Sequence, residues 1–377
     1  MKLRERRIMK TVIKKYFPPF SIVFLCFFIV TAIIWYCSTL NAAFADAIIG
    51  SIGYGLRRAL AFLTGFVGFS LMELTFVGVI IALIISVILT FRRSVDKVRV
   101  IRRLIAVISI FSLAVSLYAF TLGIGYHSTA LSKKLGLDSS EPINTDSLKS
   151  TLIILKDKAE QSLDGIEFDE NGASICPMSI SEISSKICRA YDVIAAEYKG
   201  LRLNNFNSTA KVAISSRALL GLQITGVYSF FTGEANVSIV YPDYTIPFTI
   251  AHELAHQRGI SRENEANFMA FLACIYADDA YLNYCGYMNM LEYVASSLNK
   301  VSPEIRKEIY AGLDPRIKGE MRAYSDFYYK NRNELLADIS HFFNDNYLKL
   351  QGTEGIVSYG LVTELCVEYY NNTGLTE

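Results

Sequence analysis

Histidine is scarce in this 377-residue chain, with four residues in all, and tryptophan occurs once. The seven cysteines include no CxxC pair, which excludes four-thiolate zinc ribbons and dithiol redox motifs. No fixed-period repeat and no low-complexity tract is present, which excludes solenoids and arrays. Charge is low too, at 19% of residues against a hydrophobic fraction of 52%; a soluble domain usually carries about 25% charged residues. The deficit is local. Residues 20–38, 74–91 and 104–124 contain no charged side chain, and each is close to the length that spans the hydrocarbon core as a helix. Helices are the expected form because a backbone at that depth must satisfy its own hydrogen bonds.

The net charge of +1 hides an asymmetry. Residues 1–125 hold 15 basic and 4 acidic residues, a balance of +11, which leaves −10 for the remainder. Seven of the basic residues precede Tyr16 and six lie between Arg92 and Arg103, so the excess flanks the apolar runs. With three spans, at about 20–38, 71–91 and 104–124, these two basic segments fall on the same side. Basic flanks stay cytoplasmic. The N-terminus is therefore expected inside, and the chain beyond about residue 126 outside. A cleavable signal peptide ending near Ala43 and Ala45 is the competing reading of the first run, but signal cores are usually about 7–15 residues and this one is longer.

Residues 46–66 are apolar yet contain Arg57 and Arg58, which a full span would bear at high cost. An interfacial amphipathic helix on the outer surface is expected there, the alternative being an ordinary helix packed on its neighbours. Cys26 and Cys37 fall in the first span; Cys176, Cys188, Cys274, Cys285 and Cys366 would lie outside, where disulfides are permitted. Cys176–Cys188 and Cys274–Cys285 are conceivable pairs, though no spacing demands them.

Residues 126–377 form the second expected domain. Helical periodicity covers 145–163 and 178–200, with Thr145 and either Ser179 or Ser181 as N-caps. Helical patterns return over 262–300, 303–311, 316–345 and 355–371. Between them "ANVSIVY" alternates like a strand, either an edge strand able to hold an extended substrate or a core strand. Glu234 just before it is a substrate contact or a turn residue. The fold class that follows is mainly α with a small β element, attached to three N-terminal membrane helices.

The chemistry concentrates in "PFTIAHELAHQRGISRENEANF". His252 and His256 stand at i and i+4, so on a helix both imidazoles point at one ion. Zinc (Zn²⁺) accepts nitrogen and oxygen ligands in a tetrahedral site, and Glu253 is placed as general base on a metal-bound water. Gly259 is suited to stop this helix and Ser261 to cap the next. A catalytic zinc needs a third protein ligand. Glu263 and Glu265 are available, about 200° apart around the second helix, so only one can face the ion. Glu263 shares its face with Ala266, Asn267, Ala270 and Cys274, whose small side chains permit close approach; Asn267 could orient a ligand. Glu265 shares its face with Met269 and Leu272. Glu263 is the favoured third ligand.

HExxH followed by a glutamate on the next helix resembles the gluzincin plan of zinc metallopeptidases. Glu263-x-x-Ala266-Asn267 is similar to the ExxAD element of HtpX-like and CAAX-prenyl-protease-type membrane peptidases, whose glutamate is the third zinc ligand. Here Asn267 replaces the aspartate, and six residues separate His256 from Glu263, fewer than in those peptidases. The three spans, "GVYSFFTGEANV", the HExxH segment and "NDNYLKLQGTEGIVSYG" together resemble a bacterial membrane-protein family of unknown function, recognised as zincin-like through the same HExxH core. The resemblance implies a bacterial membrane protein with a zincin-like domain.

Oxyanion donors in such hydrolases are commonly His, Tyr or Arg; His341, Tyr347, Tyr359 and Arg258 are available and none is singled out. His341, beside Phe342 and Phe343, reads as a core histidine, and His127 as interfacial. The sequence leads to a membrane-anchored zinc metallopeptidase acting on exported or membrane-proximal proteins or peptides. A non-catalytic envelope protein with a structural zinc and a zinc amidase of cell-wall material are the alternatives. Nothing suggests nucleic acid. The topology is checked with alkaline phosphatase fusions: a fusion after residue 135 is expected to be active and one after residue 95 inactive.

Overall fold

The computed structural model describes residues 13–90, 96–137, 143–203, 206, 208–353, 355 and 361–373. Three helices are long and apolar enough to cross a membrane: α1 (Pro19–Leu40), α4 (Leu71–Thr90) and α5 (Lys97–Thr121). Between α1 and α4 the chain is helical over residues 42–65, with a π segment between two α stretches. It forms α2 (Ala42–Ile48), a π turn (Ile49–Gly53) and α3 (Tyr54–Gly65). Helices α1 and α5 pack on each other along small polar residues, Thr31 and Ser38 on one and Ser109, Ser112 and Ser116 on the other, each hydroxyl returned to the carbonyl four residues earlier. No residue of α4 is buried.

After α5 come a 3₁₀ turn (Gly123–His127), α6 (Leu131–Leu135), α7 (Thr145–Gln161) and α8 (Ile180–Glu197). Asn144, not Thr145, caps α7. Ser179 caps α8 in a reciprocal box with Glu182, and Ile183, Ile187, Tyr191 and Ile194 then line its buried face. Next are β1 (Lys211–Val212), α9 (Ser216–Gly221), β2 (Gly226–Tyr228) and β3 (Ala235–Val237). The sheet order is β1-β3-β2, with β1 parallel and β2 antiparallel to β3. The segment read as "ANVSIVY" therefore supplies the central, fully buried strand, and the edge beside the site is β2.

The remaining elements are α10 (Thr245–Arg258), α11 (Glu263–Ile275), α12 (Ala280–Val301), α13 (Pro303–Ala311), α14 (Pro315–Asn331), α15 (Glu334–Leu350) and α16 (Val362–Thr373). The expected helix over 262–300 is two helices, broken where Asp279 caps the second, and that over 316–345 is broken where Asn333 caps α15. Helix α10 lies at the centre of the core; every residue on it except His252 is buried. It packs on α11, α12, α8, the sheet and α3. All seven cysteines are free thiols.

The membrane-side segment and the core are joined by buried polar contacts. Arg57 on α3 is 1% exposed, not interfacial, while Arg58 beside it is exposed. The Arg57 guanidinium donates to the carbonyls of Gln257 (3.1 Å), Arg258 (3.4 Å), Ile49 (3.1 Å) and Thr121 (3.3 Å). One side chain thus ties together the C-terminal end of α10, the π turn and the end of α5. A cation at a helix C-terminus is favoured by the helix dipole. Burial lowers the guanidinium to about 10, so it stays charged at neutral pH. Glu234, neither a turn residue in solvent nor free for substrate, is buried against Lys211 and accepts the backbone N–H groups of Leu71 (3.2 Å) and Met72 (2.8 Å) at the start of α4. Glu73 accepts those of Ile214 (2.7 Å) and Ser215 (2.8 Å).

Truncating Arg57 strands four carbonyls. Arg57→Met is expected to cost about 3–4 kcal/mol, since each buried acceptor left bare costs about 1–3 kcal/mol and some relax toward other donors. Arg57→Lys should recover only part of this, having no planar fork. Thermal unfolding of the full chain in detergent checks both; unchanged midpoints would remove Arg57 from this role.

Candidate metal centre

Two helices and the turn between them build the site. Helix α10 ends at Gly259, whose φ of +99° is a left-handed conformation that side chains rarely adopt. A Cβ there would also lie 2.4 Å from Arg57 Nη2, so glycine both turns the chain and admits the guanidinium. The turn brings Glu263, the first residue of α11, back over His252 and His256. Ser261 does not cap α11; its hydroxyl donates to the Leu122 carbonyl at 2.7 Å.

His252 Nε2, His256 Nε2 and Glu263 Oε2 form a triangle with edges of 3.0, 3.2 and 3.5 Å. Zinc bonds of about 2.0–2.1 Å in a tetrahedron place ligand atoms about 3.3–3.4 Å apart, so the triangle fits one face of such a site. The donor set fits as well. His256 Nδ1 lies 2.7 Å from the Ile260 carbonyl and donates to it, which leaves Nε2 with a lone pair aimed at the other two ligands. His252 Nδ1 has no such partner among the described residues. With no ion bound, a proton shared by His256 and Glu263 takes the ion's place, and a metal would have to displace it. Burial opposes charge on His256, but Glu263 beside it more than offsets this and holds the imidazole up at about 9. Burial likewise opposes charge on Glu263, yet the two histidines keep its carboxyl well below the usual range.

Among the described residues no fourth His, Cys, Asp or Glu joins this group. Glu265 faces elsewhere: it accepts the Leu131 N–H (2.8 Å) at the start of α6 and pairs with Arg262 (2.7 Å). Asn267 is buried, but its Nδ2 has no hydrogen-bond partner among the described residues, so it orients no ligand through that atom. Glu253 is buried beside the histidines with the Tyr228 backbone N–H on its carboxylate. Burial raises its pKa, and the two histidines oppose that rise. Edge strand β2 passes directly over it: a Cβ at Gly226 would lie 2.6 Å from Glu253 Oε1.

Three phenols stand on the other side. Tyr347 on α15 shares hydrogen bonds with Tyr118 near the end of α5 (3.0 Å) and Tyr126 in the following turn (3.3 Å). Burial raises the pKa of Tyr126 and Tyr347, and the Glu263 carboxylate raises both further, so both remain protonated donors near the ligand triangle. Of the other oxyanion candidates, Arg258 is spent on the Leu203, Leu254 and Phe206 carbonyls. His341 is exposed, not a core histidine, with its Nε2 3.3 Å from Gln223 Oε1. Tyr359 lies outside the described residues. His127 receives the Trp35 indole N–H at 3.2 Å. Tyr118 and Tyr126 are not distinguishable among 23 tyrosines in the sequence; only the position of Tyr126 just past the third apolar run hinted at it.

Metal content tests the ligand set. The purified full chain is expected to hold one zinc, lost in His256→Ala and Glu263→Ala and retained in Glu265→Ala. Glu265→Ala should instead lower thermal stability by about 1–3 kcal/mol through the bared Leu131 N–H and Arg262. Loss of zinc in Glu265→Ala alone would overturn the assignment.

Comparison with known proteins adds a family and no activity. No curated protein and no solved structure matches the chain. One family model matches residues 52–367, a stretch that contains Arg57, the HExxH helix, Glu263 and all three phenols. On the strength of that match over most of its length, the chain belongs to the family described as protein of unknown function DUF3810.

Proposed function

We propose that this protein is a membrane-anchored zinc metallopeptidase of the bacterial cell membrane, with its N-terminus cytoplasmic and the HExxH domain extracytoplasmic. The carrying observation is a three-ligand His252–His256–Glu263 triangle with Glu253, a carboxylate it does not use, buried beside it. A structural zinc takes four protein ligands, whereas a catalytic one keeps a position open. A bound zinc would supply Lewis acidity and lower the pKa of water there to about 7.

The chain's own residues divide the remaining work. Glu253 takes a proton from the attacking water and returns it to the departing amine nitrogen as the C–N bond breaks. A carboxyl whose pKa burial has raised takes up a proton more readily than a solvated one, which suits it to both transfers. The Tyr228 N–H and the bare Gly226 fix its position. Tyr126 and Tyr347 hold neutral O–H donors on the Glu263 side, where charge builds on the carbonyl oxygen. Edge strand β2 has a strand neighbour on one side only, and apart from the Tyr228 N–H held by Glu253 an extended peptide can align along the other.

Tyr118 lies three residues before the end of α5, about 5 Å along the helix axis. The phenols and the ligand triangle therefore sit beside the end of a candidate span, which favours membrane-proximal peptide bonds as substrate. In proteoliposomes carrying the full chain, hydrolysis of a mixed fluorogenic peptide library is expected to fall about 10²–10⁴-fold in Glu253→Gln while zinc content is unchanged. Equal hydrolysis by Glu253→Gln and the parent chain would sink the peptidase reading.

A further inference from the structure

Helix α15 is amphipathic the wrong way round for a surface helix of a soluble domain. Only Ala337 and Leu348 on it are buried. Leu335, Ile339, Phe342, Phe343 and Leu350 are 70, 41, 65, 67 and 84% exposed. At 100° per residue these five fall within about 100° of arc, roughly opposite the buried pair; the exposed Asn346 lies within the same arc and returns its amide to the Phe342 carbonyl. Glu334, Asp338, His341, Asp345 and Lys349 line one flank of that arc. A soluble domain that turned this face to water would expose a contiguous apolar patch, which monomers rarely do.

Two contacts fix the height of the helix. Toward its C-terminus, Tyr347 is hydrogen-bonded to Tyr118, within one turn of the end of α5. Toward its N-terminus, Leu336 packs at Gly221, the end of α9, where a Cβ would lie 3.1 Å from Leu336 Cδ1. Helix α9 is held by Glu73, in the first turn of α4, through the N–H groups of Ile214 and Ser215. The end of α5 and the start of α4 are on the same side of the membrane in a chain that crosses at both. Leu336 and Tyr347 are about 16 Å apart along the axis. The helix thus runs between tethers to the ends of two spans on one side, the tether to α4 reaching it through the roughly 9 Å length of α9. The exposed side chains of Phe62, Phe66 and Phe69 continue the same apolar level at the entrance to α4.

We infer that α15 is a membrane-lying helix whose Leu335–Ile339–Phe342–Phe343–Leu350 face is immersed in the lipid bilayer on the side of the HExxH domain. The charged flank, with Asp338 and Lys349 beside the arc, stays at headgroup level, as in other interfacial helices. Its inward side carries Tyr347 to the metal centre, so the lipid surface and the site share one element. The His252, His256 and Glu263 side chains are only 13, 7 and 15% exposed. This inference concerns membrane contact and does not require the peptidase reading.

Tryptophan quenching tests it in the full chain. Phe343→Trp and Asp338→Trp are reconstituted separately into vesicles of ordinary phosphatidylcholine and of phosphatidylcholine brominated on its acyl chains, with the parent chain supplying the Trp35 background. Phe343→Trp is expected to lose about half or more of its added emission to the brominated lipid, consistent with burial about 5–10 Å into the interface. Asp338→Trp should lose much less. Ile339→Trp is an independent probe of the same face and should behave as Phe343→Trp. Quenching absent at both face positions, or equal at all three, would overturn the inference. Emission at Phe343→Trp that is blue-shifted with protein concentration but untouched by bromine would place a second copy on the face and overturn it too.

Discussion

A single buried cation, the Arg57 guanidinium, closes the C-terminal end of the helix that carries His252 and His256. Helix ends leave carbonyls without partners, and an end buried in a core cannot use water. Here the Gln257 and Arg258 carbonyls are met by a side chain from far up the chain, which also gathers the Thr121 and Ile49 carbonyls. The charge is tolerated because all its donors are directed at acceptors and because the helix dipole points its negative end at it. The same contact sets where α10 sits relative to the end of α5. The ligand triangle, Glu253 and the phenols inherit their spacing from that placement.

The site itself is a meeting of opposites. Two imidazoles and a carboxylate are held at 3.0–3.5 Å by a left-handed glycine turn. Glu263 owes its place to the short link from Gly259, which leaves room for one turn and no more. Glu265, two residues on, points away and becomes a structural acceptor for α6. Neighbouring carboxylates so take unlike roles through helical phase alone.

Much of this was readable from pattern. Three uncharged runs marked the helices able to cross a membrane. The i, i+4 histidines, Gly259 and the small-residue face of Glu263 pointed to the triangle that the structure assembles. What escaped was everything decided by contacts distant in sequence. Arg57 looked interfacial because a paired arginine in an apolar stretch usually seeks water; its four carbonyl partners come from elements up to 201 residues away. Ser261 and Thr145 looked like caps by residue type, but the Ser261 hydroxyl goes to the distant Leu122 carbonyl and the neighbouring Asn144 caps α7. Strand "ANVSIVY" could not reveal whether it was central or edge, since that depends on where β1 and β2 pair. His341 beside two phenylalanines imitated a core pattern because α15 turns its apolar face outward.

The Arg57 contact also orders events in time. During synthesis α3 emerges about two hundred residues before the end of α10, and chains fold from the N-terminus as they are made. The Ile49 and Thr121 carbonyls can receive part of the guanidinium early, but its other donors must wait until Gln257 and Arg258 arrive. Until then, neither the packing of α3 nor the C-terminal end of α10 can be complete. The N-terminal segment is therefore a template for closing α10, and a chain separated from it would carry its histidine helix with an open end.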